Sequence, residues 1–394
     1  MLDKNILNTA LQYFITENVG NDISKLALQK NPFPEVDWIE VLNQIAAKTK
    51  AREKLPTFFE TQNIIYPSKI SVEQTSSEKT AYYKSTLVSG ESLIDLTGGF
   101  GVDDFYFSKK INQVIHCEIN TDLSELVRHN FEVLKAGNIQ CFAGDSLDAL
   151  KSLNEKFDWI YIDPSRRNDA KGKVFMLKDC LPNVPELLNF YFTHADNILI
   201  KTAPILDISA GLLELSNVKC IHVIAVDNEV KELLWELSKN FIGNPLIKTI
   251  NILNEKSVTF DFELKTNSNT PTFSLPKKYL FEPNSAIMKS GGFDEISIHY
   301  KIDKLHPHSH LYTSDEIIDL PGRIFEIQNA IPYNKTEMKL FLENKKANVT
   351  TRNFPDNVEI IRKKWKIKDG GSTYCFFTTD MNNHKIVLIC TKIK

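Results

Sequence analysis

The stretch Asp95-Leu96-Thr97-Gly98-Gly99-Phe100-Gly101 sets three glycines just after a carboxylate, a combination that can hold a ligand. It follows the apolar run Leu93-Ile94 and opens a helix-forming segment, so it reads as the first strand-to-helix turn of a nucleotide-binding sheet. Glycine lacks a Cβ and tolerates positive φ, which lets the backbone approach a bound molecule. Glu118 ends the next apolar run, 17 residues after Gly101, where it suits hydrogen bonding to two ribose hydroxyls. Gly144-Asp145 follows the third run, where a carboxylate can accept from an adenine amino group. Asp163-Pro164-Ser165-Arg166-Arg167 follows the fourth. In open α/β sheets the ligand lies outside the carboxyl ends of the strands, and four successive ends here carry an acid.

Two cofactors use such an arrangement. A dinucleotide wants GxGxxG, with its pyrophosphate on the helix N-terminus. Here Gly99-Phe100-Gly101 is followed by Val102-Asp103-Asp104, so the third glycine is missing. Asp95, Asp103 and Asp104 would also crowd the phosphates, which disfavours a nicotinamide-dependent oxidoreductase. S-adenosylmethionine (SAM) carries no phosphate; its ammonium and sulfonium favour nearby carboxylate. The sequence therefore points to SAM.

These residues must be positioned by alternating strands and helices. Apolar runs at 93–96, 113–117, 139–142, 159–162, 198–200 and 222–226 alternate with helical stretches such as 121–135 and 183–194. That pattern predicts an α/β fold with a Rossmann-like, doubly wound, mostly parallel sheet. Residues 250–253 and 258–262 predict a hairpin across Asn254-Glu255-Lys256. Helical periodicity over 1–70 predicts an N-terminal cap, and Ser/Thr caps place a further helix after Ser71. The polar stretch 265–272 reads as a linker.

The run 95–101, Glu118, Asp145 and 163–167 resembles motifs I to IV of class I SAM-dependent methyltransferases. More narrowly, 73–81, 95–103, 282–286, 311–314, 321–325 and the basic segment 352–371 are similar to bacterial methyltransferases with a THUMP-like C-terminal domain. The likeness extends over almost the whole chain. Beyond the helical region at 1–70, it implies a methyltransferase domain at 71–264, a small ferredoxin-like module at 273–320 and a THUMP-like basic domain at 321–394. Thr97, Gly98, Gly99 and Gly101 would cradle the methionyl part of SAM beside Asp95, with Glu118 at the ribose and Asp145 at the adenine. Asp163, its turn shaped by Pro164, would orient the acceptor or take its proton, and Arg166 and Arg167 would grip a phosphate or carboxylate. THUMP domains proper bind RNA, chiefly tRNA.

The station at 163–167 also bears on the acceptor. Many enzymes that methylate base amino groups carry Asp/Asn-Pro-Pro-Tyr there, whereas Ser165 and Arg166 replace the second proline and the aromatic residue. Asp-Pro-x-Arg is reminiscent of uracil-C5 methyltransferases, but Cys180 does not stand in their cysteine context. Arg166 and Arg167 could instead pair with the nearby Asp169. Lys201-Thr202-Ala203-Pro204, Asn228-Glu229 and Glu232, taken as one helical turn beyond, are further candidates for the substrate side.

Composition sets the partners. The 394 residues carry a net charge of −3, which selects none. Residues 335–394, however, hold 13 Lys/Arg against six Asp/Glu, so the tail is +7 and the rest −10. Such asymmetry is the footprint of an anionic partner. Arg352, Arg362, Lys363, Lys364, Trp365 and Lys366 mix cations for phosphates with an indole for stacking. The six cysteines form no CxxC pair, and His306, His308 and His310 have only Asp303 for support, so no metal is expected. The N-terminus is no signal peptide and no long apolar run is present, which leaves a cytoplasmic protein without a membrane partner. The reading is a SAM-dependent methyltransferase acting on a base in structured RNA, tRNA before rRNA. Alternatives are a methyltransferase of protein or small molecules, and a non-catalytic RNA-binding protein that keeps the cofactor fold.

Overall fold

The computed structural model describes residues 4–166, 176–254, 256–264 and 270–394. The chain divides into two compact units, Met1–Cys220 with Glu232–Gly243, and Ile221–Lys231 with Asn244–Lys394.

The first unit is the expected Rossmann-like α/β core. Its strands are β1 (Ser92–Asp95), β2 (Gln113–Glu118), β3 (Ile139–Ala143), β4 (Phe157–Ile162), the short pair β5 (Ser165–Arg166) and β6 (Cys180–Leu181), and β7 (Ala195–Thr202). β8 (Val218–Val226) and β9 (Glu229–Ser238) follow, of which only Val218–Cys220 and Glu232–Ser238 belong to this unit. The order β9-β7-β4-β1-β2-β3 places β1 centrally, with β2 on one side and β4 on the other. All pairings from β3 to β7 are parallel, and β9 runs antiparallel to β7 from Asn197↔Ser238 to Thr202↔Leu233. Strands in such a sheet are covered on both faces, hence unbroken runs such as Trp159-Ile160-Tyr161-Ile162, all buried. The chain reverses its winding between β1 and β4, and a crevice opens at that point.

The N-terminal helices buttress this crevice. Trp38–Lys54 and Pro56–Glu60 bring Ala47, Ala51, Leu55 and Phe58 against Phe100, Val102, Phe105 and Phe131, so the cap packs directly on the glycine turn and its helix. The helix expected after Ser71 divides in two. Ser68 caps Lys69–Gln74 and Ser77 caps Glu78–Ser85, leaving Ser71 inside a helix rather than at its start. Glu78, the first residue of the second of these helices, reaches back to the cap. It is buried and accepts from Thr57 N at 2.8 Å and Tyr106 Oη at 2.8 Å, tying the cap to helix Val102–Phe107.

A second departure lies at Asn228. Asp227 and Asn228 have φ of 50° and 64°, the backbone of a two-residue hairpin turn, and they lead into strand β9 rather than a helix. The helical expectation fails because 229–238 has apolar residues in a block, and short blocks do not distinguish helix from buried strand.

In the second unit β10 (Leu246–Leu253) and β11 (Lys256–Glu263) form the expected antiparallel hairpin, although Glu255 lies outside the described residues. A seven-stranded sheet follows. Its members are β12 (Tyr279–Pro283), β13 (Asp303–Lys304), β14 (Tyr312–Ser314), β15 (Gly322–Pro332), β16 (Asn348–Thr351), β17 (Thr373–Thr379) and β18 (Lys385–Lys392). They run in the order β13-β14-β12-β15-β18-β17-β16. Strand β12 pairs with β15 along its whole length, and Gly322 is obligatory there because a Cβ would lie 2.1 Å from Glu282 O.

Phe58 is fully buried between the cap and the glycine turn. Phe58→Ala should lower unfolding stability by about 3–5 kcal/mol in urea titration. A loss under about 1 kcal/mol would mean that the cap does not support the turn.

Candidate active site at the strand ends

The glycine turn is held from below. Asp95 is 2% exposed, and its Oδ1 accepts from Thr97 N at 2.7 Å and Thr97 Oγ1 at 3.0 Å. Gly98 N donates to Cys117 O at 2.8 Å, and a Cβ on Gly98 would stand 2.2 Å from the His116 ring. Gly101 adopts φ 73°, and a Cβ there would meet Phe131 at 2.5 Å. Both positions therefore admit only glycine. His116 Nδ1 lies 2.6 Å from Asp104 Oδ2, with both side chains fully buried. Burial, reinforced by Asp104, pushes the Asp95 carboxyl up, and burial pushes the His116 imidazole down.

Asp103 and Asp104 do not crowd a ligand, contrary to the sequence reading. Both turn into the interior from helix Val102–Phe107. Asp103 accepts from Ser76 Oγ and Tyr161 Oη, each at 2.8 Å, and pairs with Lys84 Nζ at 2.9 Å. Lys84 is itself buried and pairs with Glu232 at 3.0 Å. Burial opposes the Asp103 charge, but Lys84, with Lys201 and two hydrogen bonds, overcomes this and holds its carboxyl below the usual range.

Above the turn lies a cleft of about 630 Å³. Four sequence-predicted stations meet in its wall, namely Thr97, Glu118, Asp145 and Asp163. Glu118 ties two elements together, accepting from Gly99 N at 3.0 Å and Asn120 N at 2.7 Å. Asp145 caps helix Ser146–Leu153 by accepting from Leu147 N at 2.8 Å. Asp163 N donates to Thr97 Oγ1 at 2.7 Å, and its carboxylate takes Lys201 Nζ at 2.5 Å. Lys201, by sequence only a lining candidate, is thus joined to the predicted acceptor station. Asp95 acts on the cleft through Thr97 rather than by lining it.

A further stretch of the wall, Leu181, Pro182, Asn183, Glu186 and Leu187, has no counterpart among the sequence-predicted residues. Its one signal is the proline before helix Val184–His194, in a stretch that draws notice chiefly for its thiol. Cys180 is buried, its Sγ donating to Met176 O at 3.7 Å. Pro164 is buried behind Asp163. Arg167 and Asp169, a candidate ion pair by sequence, lie outside the described residues, as does the side chain of Arg166.

Of the later acids, Glu229 is exposed and pairs with Lys231 at 2.7 Å, while Glu232 is buried against Lys84. Asn228 caps no helix of its own; its Oδ1 accepts from Ser285 N at 2.8 Å. The three histidines have other occupations. His306 bonds Asn383 at 3.0 Å, its Nδ1 accepts from His308 N, and His310 stacks on Phe293.

The C-terminal cations divide. Lys363, Lys364 and Lys366 are exposed around the end of helix Val358–Trp365. Arg352 pairs with Glu282 at 2.7 Å and Arg362 with Asp369 at 2.5 Å. Trp365 is not available for stacking on a base. It is 7% exposed, packed with Met338, Ile361 and Phe377, and its Nε1 donates to Tyr333 Oη at 3.2 Å.

Residues 279–321 match a family model described as a ferredoxin-like domain, and 322–392 match one described as THUMP domain-like. No curated protein matches the chain significantly. Among solved structures, the chain is similar to a "putative methyltransferase" from Porphyromonas gingivalis W83, with 30% identity, 100% of each chain covered and a TM-score of 0.88. An M. capricolum TrmK complex with S-adenosylhomocysteine (SAH) has 15% identity and a TM-score of 0.33, over 45% of this chain and 70% of that one. A Bacillus cereus O-methyltransferase, also with SAH, has 12% identity and a TM-score of 0.35, over 57% of this chain and 100% of that one. No helix among the described residues is long and apolar enough to cross a membrane. Full-length likeness, a THUMP-like end and a Rossmann-like core with acids at its strand ends make this chain a member of the class I SAM-dependent methyltransferases that carry a THUMP-like C-terminal domain.

Proposed function

We propose that the protein methylates a nucleotide of structured RNA, tRNA before rRNA, with SAM as methyl donor. The observation that carries the donor assignment is the charge of the cleft. Its described lining holds four carboxylates, on Glu118, Asp145, Asp163 and Glu186, and no Lys or Arg; Lys201 pairs with Asp163 from behind that lining, which leaves the other three without a cation in the wall. Such a wall repels a pyrophosphate and accommodates a ligand with an ammonium and a sulfonium. Bound SAM would supply an electrophilic methyl group. Thr97 and the glycine turn would hold its methionyl end, Glu118 the ribose hydroxyls and Asp145 the adenine. Asp163, fixed through Thr97 and Lys201, would align the acceptor, because transfer needs its atom about 3 Å from the methyl carbon.

The RNA assignment rests on the THUMP-like end and on the exposed lysines around 363–366. Cations at a helix C-terminus also complement its dipole, so their presence alone does not require a polyanion. Binding experiments separate the two roles.

Glu118→Ala should weaken SAH binding at least about tenfold in calorimetric titration, the loss of one charge-assisted hydrogen bond. An unchanged titration would remove SAM from the reading. Lys363→Glu combined with Lys366→Glu should weaken RNA binding and flatten its dependence on log salt by about 0.7–0.9 for each phosphate that is no longer neutralised. Equal slopes would move the RNA surface elsewhere. The substrate class is tested with tritium-methyl SAM, purified protein and extract of cells lacking the gene. Label in RNA supports the proposal, and label confined to protein or small molecules overturns it.

A further inference from the structure

The charges behind Asp163 constrain the acceptor atom. Lys201 Nζ sits 2.5 Å from Asp163 Oδ2, its side chain 12% exposed and that of Asp163 38%. Behind them Lys84 binds both Asp103 and Glu232 out of solvent. Burial alone would lower the Lys201 ammonium, but Asp163, Asp103 and Glu232 outweigh it and hold it above its ordinary value. Lys201 is therefore a fixed cation at the acceptor station and not a proton acceptor.

A fixed cation discriminates between nucleophiles. An exocyclic amine attacks through its lone pair, and positive charge grows on nitrogen in the transition state. A neighbouring ammonium opposes that change. A hydroxyl gives up its proton as it attacks, and negative charge grows on oxygen; the ammonium favours it. Methylation at carbon by a thiol adduct fares no better. Cys117, the thiol in the cleft lining, is pushed up by burial and then by Asp95, so it stays protonated.

Resting on the RNA methyltransferase reading, we propose that the acceptor is a ribose 2′-hydroxyl, with Asp163 as its proton acceptor and Lys201 as the cation that stabilises the oxygen. In the step, the hydroxyl proton passes to the Asp163 carboxylate and a new O–C bond forms to the methyl group. The C–S bond breaks with its electron pair remaining on sulfur, and the proton leaves Asp163 to water. Lys201 keeps its proton throughout. Lys84 is a positioning residue. It neutralises Asp103 and Glu232, which would otherwise draw Lys201 away from Asp163. This acceptor replaces the base expected from sequence, in keeping with Ser165 and Arg166 where amino-group enzymes carry proline and an aromatic ring.

The test uses the full-length protein, tritium-methyl SAM and RNA from cells lacking the gene, followed by complete alkaline hydrolysis. A 2′-O-methyl group removes the oxygen that attacks the adjacent phosphodiester, so the expected label is in alkali-resistant dinucleotides. Label in mononucleotides would mean a methylated base and overturn the inference while leaving the RNA reading intact. Label absent from RNA but present in protein or small molecules would overturn both. Lys201→Met should slow label incorporation roughly 10²–10³-fold, the loss of one charge stabiliser, with Lys201→Arg recovering part of it. SAH affinity by calorimetry should stay within about twofold, because Lys201 is placed on the acceptor side. A slowing under about tenfold in folded Lys201→Met, or an equal loss of SAH affinity, would overturn the role given to Lys201.

Discussion

The buried pairing of Lys84 with Asp103 and Glu232 is the interaction on which the site depends. A lysine with no exposed surface is tolerated only because its charge is matched on two sides and Ser76 accepts from it at 2.7 Å. Three parts of the first unit meet there: helix Glu78–Ser85, the helix that continues the glycine turn, and strand β9. Such a cluster contributes little net stability, since desolvating the ions offsets their attraction, yet losing one member costs about 3–5 kcal/mol. Its effect is therefore on geometry. It fixes where the turn begins, and through Tyr161 it fixes the end of β4, from which Asp163 projects.

The strand ends are legible in the sequence because their signals are local. A glycine turn after a short apolar run, and acids at successive run ends, depend on neighbours in sequence and on the general rule for open sheets. Lys84 and Glu232 carry no such signal. They are 148 positions apart and acquire meaning only when β9 returns antiparallel to β7. Asp103 and Asp104 mislead for a related reason. Spacing locates them beside the turn, but a six-residue helix rotates both carboxylates inward, where Lys84 and His116 receive them. The wall at 181–187 escapes sequence reasoning because most of its residues are apolar or neutral, and their contribution is shape.

The C-terminal segment shows how composition can mislead about individual residues. The excess of cations is real, but an aromatic side chain within a basic stretch is ambiguous. Trp365 falls on the face of its helix that closes the small core with Ile361 and Phe377, while Lys363 and Lys366 turn outward. Helical spacing over 358–365 carries this division, with Ile361 and Trp365 four apart. Residue type suggests a stacking platform; periodicity makes the tryptophan a wedge.

The pairing of β12 with β15 bears on how the chain can be cut. The two family models meet between residues 321 and 322, yet strands on either side of that junction share five paired positions at the middle of one sheet. A fragment ending at 321 would present the bare edge of β12, whose five residues are all buried in the intact chain. Its counterpart beginning at 322 would expose the matching edge of β15. Each edge is a ready template for a foreign strand, so truncation there would trade a folded module for sticky ends prone to aggregation. The seam between the two families is a boundary in lineage but not in folding, and a separable C-terminal piece has to begin upstream of Tyr279.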